Sequence, residues 1–167
     1  MPPPADAVDP CLVGTWRTTS YVAPEVPGVT QRVSGGEGGT IAFGADRTVR
    51  VDLTGMTPVV IETSAPTGVG STTTLAYGGS GTGSWSADGG VVEVAGVDPS
   101  TFGIRVRVES ADGTPLGDAD LAATDVRGAT YATVLGTARY ACTPVSLSLT
   151  HVLPGVGAVG GVELSPT

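Results

Sequence analysis

Apolar and polar residues alternate along most of this chain with a period of two, the repeat of a strand with one dry face and one wet face. Leu12, Gly14 and Trp16 fall on one side of an extended segment and Val13, Thr15 and Arg17 on the other. This predicts a first strand from Cys11 to about Tyr21, ended by Pro24, Pro27 and Gly28. The clearest hairpin joins Thr40–Phe43 to Thr48–Leu53 through Gly44-Ala45-Asp46-Arg47, with Val49, Val51 and Leu53 inward and Arg50 and Asp52 outward. A second joins Gly83–Ser86 to Val91–Val94 through Ala87-Asp88-Gly89-Gly90, where glycine accepts the positive φ of a tight turn. A third joins Thr137–Cys142 to Val145–Thr150 around Thr143-Pro144, with Val145, Leu147 and Leu149 inside. Pro58–Glu62, Thr72–Tyr77 and Phe102–Glu109 also read as strands. The glycines at 35–39 and 78–83 read as turns, bulges and loops beside them. A helical turn is expected at most around Asp120 to Thr124.

The expectation is therefore an all-β protein, an antiparallel up-and-down β-barrel of about nine or ten strands with little or no helix, because full closure removes the two bare edges of a meander. Residues 1–10, with four prolines, read as a disordered tail, residues 11–153 as the barrel domain, and residues 154–167 as a Gly-rich strand or tail.

Composition strengthens the β reading. The 167 residues are 40% hydrophobic and 14% charged, with 26 glycines, and the segments are rich in Val and Thr. A net charge of -8, with arginine as the sole basic residue type apart from one histidine, repels phosphate backbones and excludes a nucleic-acid partner. No apolar run is long enough for a helical membrane span. Met1-Pro2-Pro3-Pro4 has neither the charged start nor the apolar stretch of a leader, so a leader is expected to be absent from this chain.

Cys11 and Cys142 are the two cysteines. They read as a disulfide in an oxidising, extracytoplasmic setting, against the alternative of two buried thiols. A bond across so long a loop contributes roughly 4 to 5 kcal/mol in the chain-entropy picture, and it fits a barrel in which an early strand meets a late one. Val8-Asp9-Pro10 before Cys11 does not match a lipoprotein cleavage context.

Gly14-Thr15-Trp16 on the first strand resembles the opening motif of the lipocalins and related calycin barrels, and it recurs as Gly83-Ser84-Trp85. The resemblance implies that Gly14 and Trp16 close one end of a barrel and that an Arg from a late strand lies over the Trp. Arg139 is the candidate for that contact, worth roughly 0.5 to 2 kcal/mol as a cation–π pair. Thr124-Asp125-Val126 resembles the lipocalin Thr-Asp-Tyr loop without its Tyr, and no amphipathic helix follows the last strands. Cys11–Trp16, with the late Tyr140-Ala141-Cys142, also resembles lipocalin-like domains of secreted proteins from high-GC bacteria. The implied activity is binding of a small apolar or amphipathic molecule inside the barrel, with Phe43, Leu53, Tyr77, Trp85, Ile104 and Tyr140 as lining residues. The alternative is a structural or protein-interaction module with a collapsed interior and an unidentified protein partner.

Chemistry-bearing groups are sparse. His151 is the sole histidine, and no Gly-x-Ser-x-Gly elbow accompanies it. Asp112, Asp118, Asp120 and Asp125 read as loop carboxylates before they read as a glycosidase pair. Asp118 and Asp120 lack the ligand series of a calcium loop, and one histidine with two paired cysteines gives no zinc set. No enzyme activity, cofactor or metal is expected.

Overall fold

The computed structural model describes residues 8–23, 25–122, 136–153 and 157–167, and these form twelve strands with no α-helix among them. In chain order they are β1 (Gly14–Val22), β2 (Thr30–Ser34), β3 (Thr40–Phe43), β4 (Thr48–Asp52), β5 (Val59–Ser64), β6 (Gly70–Asp88), β7 (Val91–Ala95), β8 (Phe102–Ser110), β9 (Pro115–Ala122), β10 (Gly136–Thr143), β11 (Ser146–Leu153) and β12 (Gly157–Pro166). One 3₁₀ turn, Pro99–Thr101, precedes β8.

Eight strands close a barrel in the order β1-β3-β4-β6-β7-β10-β11-β12 and back to β1, every pairing antiparallel. Leaving out the four other strands, this order follows the chain, so the barrel is an up-and-down meander. The remaining strands leave the meander and flank the first half of β6, giving a second, open sheet β2-β5-β6-β8-β9. Strand β6 thus belongs to both sheets: Ser80–Ser84 pair with β4 and Ser84–Asp88 with β7, while Gly70–Leu75 pair with β5 and Ser71–Gly79 with β8.

Several local expectations change. Thr72–Tyr77 and Gly83–Ser86 are parts of one strand, in which Gly79, Gly81 and Gly83 are sites of close packing and not breaks. Register places Gly81 and Gly83 opposite the buried Val51 and Val49, on the inner face. The crossover from β7 to β8 lies on that face, so a Cβ at Gly83 would stand 2.4 Å from the carbonyl oxygen of Ala95, and one at Gly79 2.0 Å from that of Thr101. Asp120, read as the start of a helical turn, pairs with Arg105 inside β9. Val145 is not inside: it sits in the β10–β11 turn, 74% exposed, where the Thr143 hydroxyl accepts from the amides of Val145 and Ser146. The C-terminal segment is a central strand, β12, between β1 and β11, and not an edge. Thr124-Asp125-Val126 lies outside the described residues.

The turns account for four of the sixteen acidic residues. Asp46, Asp52, Asp98 and Asp112 each accept from the backbone amide of a Thr or Ser two residues on, the local bond by which Asp competes with regular structure and fixes turns. Hydroxyl groups add to these bonds and hold all four carboxyls below their ordinary range, Asp112 to about 2 through Ser110 and Thr114.

Candidate functional site

The barrel lumen is the first place to look, because the sequence resemblance puts a ligand there. Its wall is built from alternate residues of the closed strands: Trp16, Ile41, Phe43, Val49, Val51, Trp85, Val92, Ala138, Leu147, Leu149, Val162 and Leu164, none more than 3% exposed. Side chains around a ligand-sized void would keep free surface facing it, and these keep almost none. Phe43 meets Trp85 edge to face, with ring centroids 5.2 Å apart, the geometry aromatic quadrupoles favour. Phe43, Leu53, Trp85 and Ile104 are core residues, and Tyr77 is buried beside Tyr21. Burial raises the pKa of the Tyr21 phenol, and the neighbouring Tyr77 offsets part of that rise.

One end of the barrel is shut. The segment before β1 crosses it as a strap: Leu12 is fully buried beneath it, and Cys11 is bonded to Cys142 on β10 with Cα atoms 6.1 Å apart. Trp16 donates its indole N–H to the Leu12 carbonyl at 2.9 Å, and Asp9 takes the Cys11 amide at 2.9 Å on one carboxylate oxygen and the Tyr140 hydroxyl at 2.5 Å on the other. Partial burial, then the Asp9 hydrogen bond and charge, push the Tyr140 phenol up to about 12. Tyr140 therefore latches the strap. The second Gly-x-Trp does matching work at this end, since Trp85 donates to the Gly44 carbonyl at 3.0 Å in the β3–β4 turn. Arg139 is exposed on the outer wall between the inward Ala138 and Tyr140, so it lies across the sheet from Trp16 and does not stack on it.

Among the charged candidates, Arg105 forms a bidentate pair with Asp118, at 3.2 and 3.0 Å, on the polar face of the open sheet. This pair lowers the Asp118 pKa and raises that of Arg105, with Asp120 contributing charge to the latter. Asp118 is thus committed to an arginine, and no group of three or more metal-ligating side chains occurs among the described residues. His151 lies on the inner face of β11, 6% exposed, with Nδ1 2.7 Å from the Thr137 carbonyl oxygen and no hydrogen-bond partner at Nε2. That contact assigns the proton to Nδ1. Among the described residues no hydroxyl bonds Nε2, and Nδ1 meets a backbone carbonyl where a triad would place a carboxylate.

Clefts lie on the outer wall near the closed end, where Val13, Thr15, Ala42, Arg50 and Thr82 border about 710 Å³, and at the other end. There the β1–β2 loop and β2 enclose a cleft of about 620 Å³, lined by Tyr21, Val22, Ala23, Glu25, Val26, Pro27, Val29, Gln31 and Val33. Val22 and Val26 are 47% and 46% exposed. A second cleft of about 350 Å³ shares Val22, Ala23 and Glu25 and runs along the outer wall over Ser148, Thr150 and Glu163. Val33, which lines the first cleft, registers with Ile61 on the apolar face of the open sheet. Sequence reasoning passed over these residues because Pro24, Pro27 and Gly28 marked a loop. The signal was present in Val22, Val26 and Val29, apolar side chains that a proline-broken segment cannot carry into a strand core.

Comparison with protein-family models, with curated proteins and with solved structures finds no match for this chain.

Proposed function

We propose that this protein is a non-enzymatic binding module of an extracytoplasmic protein, lipocalin-like in its barrel, that meets its partners on its open end and its five-stranded sheet and not in its lumen. The observation that carries the reading is the filled inner wall from Trp16 to Leu164. A small apolar guest there would have to displace packed side chains, and a native-density core resists added volume at a cost of typically about 1–3 kcal/mol for even a few methylenes. The disulfide supports an extracytoplasmic site of action, since such bonds persist where the surroundings oxidise thiols. The eight-strand meander and Trp16 at its closed end support kinship in form with lipocalin-like domains, including those of secreted proteins from high-GC bacteria. Fold likeness alone assigns no ligand.

Native mass spectrometry of the protein, before and after denaturation and refolding with the disulfide intact, tests this. The expected result is one unliganded mass in both samples. A reproducible small-molecule adduct, lost on denaturation and accompanied by changed methyl resonances of Val51, Leu147 and Leu164, would restore the lumen-carrier reading and overturn this one.

A further inference from the structure

Of the five large apolar side chains that the described residues expose, Val22 and Val26 stand together in one concavity, while Val69, Leu116 and Val145 lie elsewhere. A folded chain gains by burying such groups, and an apolar concavity with a few convergent polar groups is the usual form of a small-molecule site. The cleft walls are aliphatic over Val22, Ala23, Val26, Val29 and Val33. Its polar groups are Gln31 and the exposed Glu25. Glu25 stands where the two clefts join, and Glu163 lines the neighbouring one. Neither carboxylate has an arginine partner among the described residues: Glu163 accepts from the Ser148 hydroxyl at 2.9 Å, and Glu25 projects to solvent. The whole chain carries a net charge of -8, so its field favours cations at this mouth and disfavours anions.

The geometry points to a binding site for an amphipathic cation: a small molecule with an aliphatic body that covers Val22, Val26, Val29 and Val33, and a protonated or quaternary amine that sits at Glu25 and faces Glu163. The inference rests on the reading that binding takes place outside the lumen. The aliphatic body supplies the apolar burial, and the ammonium meets a carboxylate that forms no ion pair among the described residues. An anionic head on the same body would meet two carboxylates and be rejected.

Three probes of equal chain length separate these contributions: dodecyltrimethylammonium, dodecyl sulfate and dodecyl maltoside, each kept below the concentration at which it forms micelles, titrated into the disulfide-intact chain with methyl resonances observed by NMR. The ammonium compound is expected to give saturable shifts at Val22, Val26, Val29 and Val33, with the sulfate bound about tenfold more weakly or worse. Glu25→Gln is expected to weaken the ammonium compound about threefold, the size of one exposed ion pair, and to leave the maltoside and the near-ultraviolet signal of the two buried tryptophans unchanged. Sulfate binding as tight as ammonium binding, an unaffected Glu25→Gln variant, or no saturable shift at these valines overturns the inference alone. Saturable shifts at Val51, Leu147 and Leu164 instead would overturn the extraluminal reading beneath it.

Discussion

Asp9 and Tyr140, at opposite ends of the chain, are joined at 2.5 Å over the closed end of the barrel, and this bond makes the strap's hold on the barrel sensitive to alkali. Tyr140 donates a proton to a carboxylate, so the bond exists only while the phenol is neutral. Its pKa is raised from 10.0 to about 12 in the fold. A raised folded value means that the contribution to stability is complete below pH 10 and is lost as pH rises from about 10 through about 12. Absorbance titration of tyrosinate is therefore expected to show a phenol ionising near 12 that is missing from Tyr140→Phe. Stability of the parent is expected to fall more steeply than that of Tyr140→Phe across the same interval. Trp16 was legible from the chain because an aromatic on the dry face of a first strand has nowhere to go but the core. Arg139 was misplaced by following the family resemblance over the period of two: Cys142 must face the strap, and a residue three positions from it falls on the opposite face.

Among the elements, β6 decides the architecture, and its glycines are the reason a single strand can serve two sheets. Gly83→Ala puts a methyl 2.4 Å from the carbonyl oxygen of Ala95 at the end of β7 and 2.9 Å from the Val97 nitrogen in the crossover, backbone atoms that move only with those segments. Gly78 lies in the same strand with nothing within 4 Å of an added Cβ. Urea unfolding is expected to show Gly83→Ala destabilised by roughly 1–3 kcal/mol, and Gly78→Ala within about 0.5 kcal/mol of the parent. Equal effects at the two sites would contradict the packing of the crossover on the inner face. The hairpins turning at Asp46 and at Asp88-Gly89 were legible because their chemistry is local, whereas the one turning at Asp112-Gly113 was passed over because the strand after it, β9, is polar. The length of β6 was not, since a glycine that accommodates a neighbouring backbone is written identically to one that ends a strand. The short β2 and the polar-faced β9 were hidden, and the Gly-rich β12 was read as either strand or tail, for a related reason: each is recognised by what lies beside it in the sheet, and only weakly by its own alternation.

At the scale of the whole molecule, the chain closes on itself twice, through the β1–β12 ladder and through the disulfide that ties the strap to β10. Replacing both cysteines by alanine is expected to cost roughly 4 to 5 kcal/mol and to bring amide exchange at Leu12 forward relative to the barrel strands. Exchange at Leu12 that stays as slow as in the strands would show that packing alone seats the strap. Barrel closure was foreseeable from the serial hairpins. The second sheet was not, because nothing in a meander announces that four of its strands will leave it. The central claim is that the closed barrel is full and that its binding surfaces lie outside it. Xenon enters dry apolar cavities too small or too apolar to hold ordered water, so methyl NMR under xenon pressure tests that claim most directly. The account predicts no saturable shift at Val51, Leu147, Leu149 or Leu164, whereas saturating shifts at these four would reveal a lumen open to guests and contradict it.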